Sequence, residues 1–302
     1  MKNALPWPPE VACPQSAAPQ WHEPLSNICL DFHGDPGKAQ LVVFSDGNHH
    51  MGLAEALQQF GQQHPAVHDI FYATTPPSVI MNMLIHGGVY LGNLLLAIRP
   101  HVFISPANIL QQLKDKGYVQ QHQAFMRSRG NVLLVRANNP KQIRRVADLA
   151  NPQIRLFLSN PERETASFQV YAHTLVNYAA QQGRQITDAS AASLTMHYNL
   201  VFGNRIHHRE APQALFSDQA DVALIYYHLA LRYTRIFPGE FAIIMPDGSA
   251  VSEPTKSAHN IISDYHIGLI GDGGAWGSKL ESFMMSDTVT QIYHHHGLDR
   301  AG

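Results

Sequence analysis

His101-Val102-Phe103-Ile104-Ser105-Pro106, followed by Leu110-Gln111-Gln112-Leu113-Lys114-Asp115-Lys116-Gly117-Tyr118-Val119, holds one complete strand–loop–helix unit. Val102, Phe103 and Ile104 form a short apolar run of the kind that suits a strand buried on both faces. Leu110 and Leu113 then recur at helical spacing over 107–116, and Gly117 supplies the stop that a helix end favours. Two earlier stretches repeat the plan. Leu41-Val42-Val43-Phe44 reads as a strand, Ser45-Asp46-Gly47-Asn48 as a polar turn, and Met51, Leu53, Ala54, Leu57 and Phe60 as the apolar stripe of a helix ending near Gly61. Residues 69–73 make the next strand, Thr74-Thr75-Pro76-Pro77-Ser78 the loop, and 79–85 the helix, stopped by Gly87-Gly88.

The alternation resumes at 131–135, with strands at 155–158, 222–226, 241–245 and 265–269, a helix at 167–181 and a closing helix over 275–294. Strands alternating with helices predict βαβ crossovers and mostly parallel sheets, an α/β protein. Ligand sites in such sheets lie beyond the strand carboxyl ends, where helix N-termini offer free N–H groups.

At 302 residues and 45% hydrophobic composition, the chain suits two lobes, each with its own core. The formal net charge of −2 argues against nucleic-acid or acidic-membrane partners. The longest apolar run, 89–98, is broken by Gly92-Asn93 and stops at Arg99-Pro100, short of the roughly 20 residues that span a bilayer. No membrane insertion is expected. Histidine is the outlier, at 19 residues. Cys13 and Cys29 are the two cysteines, able to form one disulfide or to stay as free thiols. Residues 1–38, rich in Pro, Ala, Gln and Gly, read as an extended arm. Met1-Lys2-Asn3 opens no secretory apolar stretch, which fits a cytoplasmic protein or one whose leader lies outside this chain. No G-x-S-x-G, phosphate-cradling loop or paired-cysteine zinc motif is present, so the expectation is a binding protein and not an enzyme.

Taken in order, these motifs resemble the molybdate- and tungstate-binding members of the type II periplasmic binding proteins, over residues 40–302. The resemblance rests on Val43 to Asn48 leading into Leu53-Ala54-Glu55-Ala56-Leu57, and on the 101–119 stretch. It rests further on Gly130-Asn131-Val132-Leu133-Leu134-Val135, Ser159-Asn160-Pro161, Asp221 to Tyr226, and Tyr293-His294-His295-His296-Gly297-Leu298. It implies a two-lobe fold, each lobe a mostly parallel sheet flanked by helices, with the ligand in a cleft between the lobes. Residues 39–128 with 240–302 would form lobe one, and 129–239 lobe two. It also implies a periplasmic or otherwise extracytoplasmic solute-binding protein that delivers a small tetrahedral oxyanion to the membrane subunits of an ABC importer.

The resemblance places Asn48, His208 and Tyr226 at ligand-contact positions. Ser45 shares the Asn48 loop, and Thr74 and Thr75 occupy the corresponding second loop. Ser167 stands near the family's contact loop without reproducing it. Ser45, Asp46 and Asn48 also suit helix capping, and Thr74 and Thr75 ordinary turn chemistry. In His207-His208-Arg209-Glu210, Arg209 could pair with an oxyanion. An alternative keeps the fold and binds a divalent transition metal through His49, His208 and His228. A second alternative is a cytoplasmic sensor or enzyme on the same frame. No cofactor is expected beyond a bound oxyanion or metal as ligand.

Overall fold

The computed structural model describes residues 31–91, 94–204 and 206–302; Cys13, Cys29 and the rest of 1–30 lie outside the described residues. The chain first runs β1 Phe32–His33, β2 Leu41–Asp46, α1 His50–Gln63, β3 Ile70–Thr75, α2 Pro77–Ile85, β4 Val89–Leu91, β5 Leu94–Leu96, β6 Val102–Pro106, α3 Ala107–Asp115 and β7 Val119–Ser128. The middle carries β8 Asn131–Arg136, β9 Arg155–Leu158, α4 Thr165–Gln181, α5 Ala191–Thr195, β10 Asn199–Phe202, α6 His207–Phe216, β11 Val222–Tyr226, α7 Tyr227–Ile236 and β12 Phe241–Ile244. The end consists of β13 Asp264–Ile270, α8 Gly274–Met284, α9 Asp287–His295 and β14 Leu298–Arg300.

Two compact units result. The first comprises the described residues up to Arg127 together with Asp264–Gly302, and the second Ser128–Ser263. The boundary expected at 240 therefore falls after Ser263. The reason is pairing: β12 lies antiparallel to β8, with Phe241 opposite Arg136 and Ile244 opposite Leu133, so 241–244 completes the second unit's sheet.

In the first unit the strand order is β1-β3-β2-β6-β13-β7-β14. Its centre, β3-β2-β6, is parallel. β13 runs antiparallel to both β6 and β7. Side chains alternate between faces, and both faces are covered. Leu41, Val43, Tyr72, Val102 and Ile104 pack with residues of α1, α8 and α9, including Phe60, Met284 and Tyr293. Val42, Phe44, Phe71, Ala73 and Phe103 pack with Ile80, Leu84, Leu110 and Leu113 of α2 and α3. Burial on both faces is why these strands read as unbroken apolar runs. The 101–119 stretch folds as expected, and Gly117 closes α3 with φ +77°. Tyr118 N–H then returns to the Leu113 carbonyl at 2.9 Å.

The second unit's sheet has the order β10-β9-β11-β8-β12. β10, β9 and β11 are parallel, and β8 is antiparallel to β11. Phe168, Tyr171, Leu175 and Tyr178 of α4 are buried with the apolar strand residues. Where the chain enters this unit, Gly130 takes φ +94° and lies hard against Asn260. Asn260 accepts from Asn131 N–H at 2.7 Å and returns its amide to the Asn131 carbonyl at 2.9 Å.

The described end of the extended arm lies on the body, Phe32 and His33 pairing with Ala73 and Tyr72 as an edge strand. Two expectations change. The closing helix expected over 275–294 is two helices. Ser286 adopts extended backbone between them and accepts the Val289 N–H as the cap of α9. β7 was not expected to be a strand, because its sequence VQQHQAFMRS is largely polar; pairing with β13 holds it. Among the described residues no helix is long and apolar enough to cross a membrane.

A methyl group at position 130 would sit 2.6 Å from the Asn260 amide nitrogen and in the left-handed backbone region. Gly130→Ala is expected to destabilise the fold by about 1–3 kcal/mol, read as a lowered midpoint in thermal unfolding. An unchanged midpoint would show that Asn260 yields freely.

Candidate functional site

The parallel centre of the first unit brings three polar residues into one row. Asp46 is registered with Thr75, and Ser45 with Ile104, so the next step along β6 is Ser105. Registered residues share a face of the sheet. Asp46, Thr75 and Ser105 each stand two residues beyond Phe44, Ala73 and Phe103, and so lie on the face packed by α2 and α3. Both helices start immediately after their strands, with Pro76 and Pro106 at the cap positions and no side-chain cap on their first N–H groups. Both N-termini place partial positive charge at the same strand ends; in α2 Pro77 has no N–H and the Val79 and Ile80 N–H groups return to the Pro76 carbonyl, so Ser78 supplies its open N–H and α3 the rest.

The row is buried. Thr75 is 7% exposed and Ser105 fully buried, and neither hydroxyl has a hydrogen-bond partner among the described residues. A buried hydroxyl left without a partner costs about 1–3 kcal/mol, so it is kept where something else satisfies it. Asp46 is also buried, and its Oδ1 accepts the Asn48 N–H at 2.7 Å. Burial pushes its carboxyl up from 3.8 to about 7, opposed by that backbone hydrogen bond. Near neutral pH, Asp46 is poised between acid and carboxylate.

Ser45 and Thr74 face the other way and are used inside the fold. Ser45 Oγ donates to the Asp46 carbonyl at 3.1 Å and lies 3.3 Å from His49 Nε2. Thr74 Oγ1 lies 3.1 Å from His33 Nε2, tying the edge strand down. Asn48 sits in the short helical turn Gly47–His49, where its N–H is held by Asp46. Of the four expected residues in this unit, Thr75 is the one whose hydroxyl stays open. In the sequence Asp46 reads as a helix cap and Ser105 as part of the 101–106 motif. Their place one step beyond a buried strand was the available signal.

In the second unit the expected residues find partners within the chain. Ser167 Oγ lies 2.9 Å from Ser159 Oγ and 3.1 Å from the Glu164 carbonyl. Tyr226 is buried with its hydroxyl 3.0 Å from Ser263 Oγ, and its ring stacks on His228 at 5.2 Å. His208 is buried, and its carbonyl accepts the Tyr233 hydroxyl. Arg209 is half-buried in the first turn of α6. The N-terminus of α6 is served by the chain itself, since Glu164 Oε2 accepts the His207 N–H at 2.8 Å. His207 lies between Phe157 and Tyr171, and burial lowers its pKa to about 3.

The three alternative metal ligands are divided between the units. His49 belongs to the first unit, His208 and His228 to the second. His49 has Nδ1 3.0 Å from the Tyr293 hydroxyl and Nε2 against Ser45, so both ring nitrogens are engaged. Burial lowers its pKa to about 3. Among the described residues no group of three or more His, Cys, Asp or Glu side chains is arranged to hold a metal ion.

Known proteins bear on this geometry in three ways. The family described as bacterial extracellular solute-binding protein matches residues 41–299. No curated protein matches the sequence. Among solved structures, the periplasmic molybdate-binding protein of Azotobacter vinelandii superposes with TM-score 0.58 at 16% identity, covering 87% of this chain and 100% of that one. The sulfate-binding protein SubI of Mycobacterium tuberculosis H37Rv gives 0.62 at 16% identity, covering 86% of each chain. The ferric binding protein of Campylobacter jejuni gives 0.54 at 13% identity, covering 85% of each. At these identities the likeness is one of fold, that of the type II periplasmic binding proteins.

Titration of the buried groups has a defined sign. Asp46 holds its proton in the folded state up to about pH 7 but releases it near 3.8 when unfolded, so its contribution to stability is lost as pH rises through 7. Asp46→Asn keeps the acceptor for Asn48 and removes the buried charge. The variant should therefore gain stability over the parent as pH rises from about 5 to 8, measured by denaturant unfolding. A difference independent of pH would mean that Asp46 titrates normally. His49 works in the opposite sense: its neutral form is favoured by burial, and its contribution is lost as pH falls from 6.5 towards 3.

Proposed function

Because the chain belongs to the bacterial extracellular solute-binding protein family, matched over residues 41–299, we propose that it captures a small oxyanion of the molybdate or tungstate type for an ABC importer. It acts outside the cytoplasm as a carrier without catalysis, and hands its ligand to the importer's membrane subunits. What carries the choice of an anion is the pair of buried hydroxyls, Thr75 Oγ1 and Ser105 Oγ, with no partner among the described residues. They stand at the uncapped N-termini of α2 and α3. Hydroxyl and backbone N–H donors converging on desolvated oxygens are the chemistry by which helix N-termini hold anions.

Asp46 sets the condition on that capture. As a carboxylate it would repel a dianion across the row, whereas its protonated form can donate to one. Binding is accordingly tighter on the acid side of about pH 7, where Asp46 is protonated. Sulfate shares the tetrahedral shape of molybdate but is smaller, so the two together report on fit as well as charge.

A ligand bound by the folded state alone stabilises it by about 2.7 kcal/mol at a hundredfold excess over Kd, which a thermal melt resolves. Molybdate or tungstate should raise the melting temperature, more strongly at pH 6 than at pH 8. Ser105→Ala and Thr75→Val should each weaken binding by roughly tenfold or more, the worth of a hydrogen bond to a charged group. Without ligand the same variants should be neutral or slightly stabilising, since each removes an unsatisfied hydroxyl. Melting temperatures indifferent to every oxyanion, or a shift that survives both substitutions, would sink the proposal.

A further inference from the structure

Histidine is unusually frequent, at 19 residues, and two of them face each other on the first unit. His122 on β7 and His266 on β13 stand diagonally across adjacent strands, since His122 is registered with Gly268 and His266 with Ala124. Their Nδ1 atoms are 2.8 Å apart. Gly268 makes this approach possible: a side chain there would bring its Cβ within 3.2 Å of His122 Cβ. His266 is also the registered partner of Ser105, which places the pair on the face covered by α3.

The tautomer of His122 is set from its far side. Gln111 on α3 donates its amide to Asp115 Oδ1 at 2.8 Å, and this orients the Gln111 carbonyl oxygen towards His122 Nε2, 3.3 Å away. A carbonyl oxygen can only accept, so Nε2 carries the hydrogen and Nδ1 presents its lone pair to His266. This is the outer-sphere arrangement that orients metal-binding imidazoles. Burial, reinforced for His122 by His266 and Lys114, lowers the pKa of both rings, so both are neutral and able to ligate at neutral pH.

We propose that His122 and His266 form a two-imidazole site for a late first-row divalent cation (nickel, copper or zinc), with Gln111 and Asp115 as its outer support. Two nitrogens at about 2.1 Å from one cation and at right angles stand about 3.0 Å apart, and tetrahedral placement widens this to about 3.4 Å. The observed 2.8 Å separation lies close to the first of these, so small ring rotations admit a cation once the hydrogen that His266 Nδ1 now donates moves, through water, to its own Nε2, leaving both Nδ1 lone pairs for the metal. Neutral imidazole suits these cations over magnesium or calcium. No third His, Cys, Asp or Glu joins the pair among the described residues, so water fills the other positions and metal exchanges readily.

The site does not depend on the oxyanion reading and is tested without an oxyanion present. Nickel or copper is titrated into the intact protein at pH 7.5 by calorimetry, beside His122→Gln, His266→Gln and Gln111→Leu. Each histidine variant should lose one binding event present in the parent, and Gln111→Leu should weaken that event by about tenfold. Copper spectra should report two nitrogen ligands in the parent and fewer in either histidine variant. Metal-free melting curves run alongside establish that each variant is folded. Isotherms and copper spectra that superpose for the parent and a folded histidine variant would overturn the proposal.

Discussion

The first unit depends on a sheet whose central strands are covered on both faces. Once α1, α8 and α9 take one side and α2 and α3 the other, nothing polar can stay in the middle of β2, β3 or β6 without losing water. Polar chemistry is pushed to the strand ends. Because the three strands are parallel and in register, their ends fall together, and Thr75, Asp46 and Ser105 become neighbours although they are distant in sequence. The same pleat that buries Phe44, Ala73 and Phe103 aims this row at the starts of two helices.

The two units treat their polar strand ends differently. In the second, the chain supplies its own partners: Glu164 serves the start of α6, Ser263 meets Tyr226, and Ser159 meets Ser167. In the first, Ser45 and Thr74 are similarly absorbed by His49 and His33, yet Thr75 and Ser105 keep their hydroxyls open. Along β3 the pleat satisfies Thr74 and leaves Thr75, the next residue, open, so the two faces of one strand end carry different polar chemistry. The family assignment makes the chain a solute-binding protein, and the likeness to solved structures at 13–16% identity is one of fold.

Burial also sorts the histidines. His49 and His207 lie deep among aromatic rings, stay neutral, and act as packing residues with polar edges. Thr74 and His33 show the same economy at the edge of the sheet, where His33 stacks on Tyr72 at 4.3 Å while anchoring the hydroxyl next door. His122 and His266 differ because they are half-buried and turned towards each other. That position combines low pKa with access to solvent.

The elements whose identity depends on local composition were legible in the sequence. Leu41 to Phe44, the 101–119 stretch with its Gly117 stop, and the Val222 to Tyr226 strand all fold as their residues dictate, because apolar runs and helix stops act over a few positions. The motif order was sufficient to suggest the family resemblance as well. Partnership was not legible. Nothing within VQQHQAFMRS announces a strand, since β13 and not its own composition makes it one, and the break at Ser286 needed the capping hydrogen bond to the Val289 N–H to be seen. The same limit governs the site. Ser45 and Thr75 look alike as turn hydroxyls, and only the pleat, which sends one towards His49 and the other towards α2, separates a structural hydroxyl from an open one. Strand register is a relation between distant segments, so tertiary structure decided which polar residues remain available.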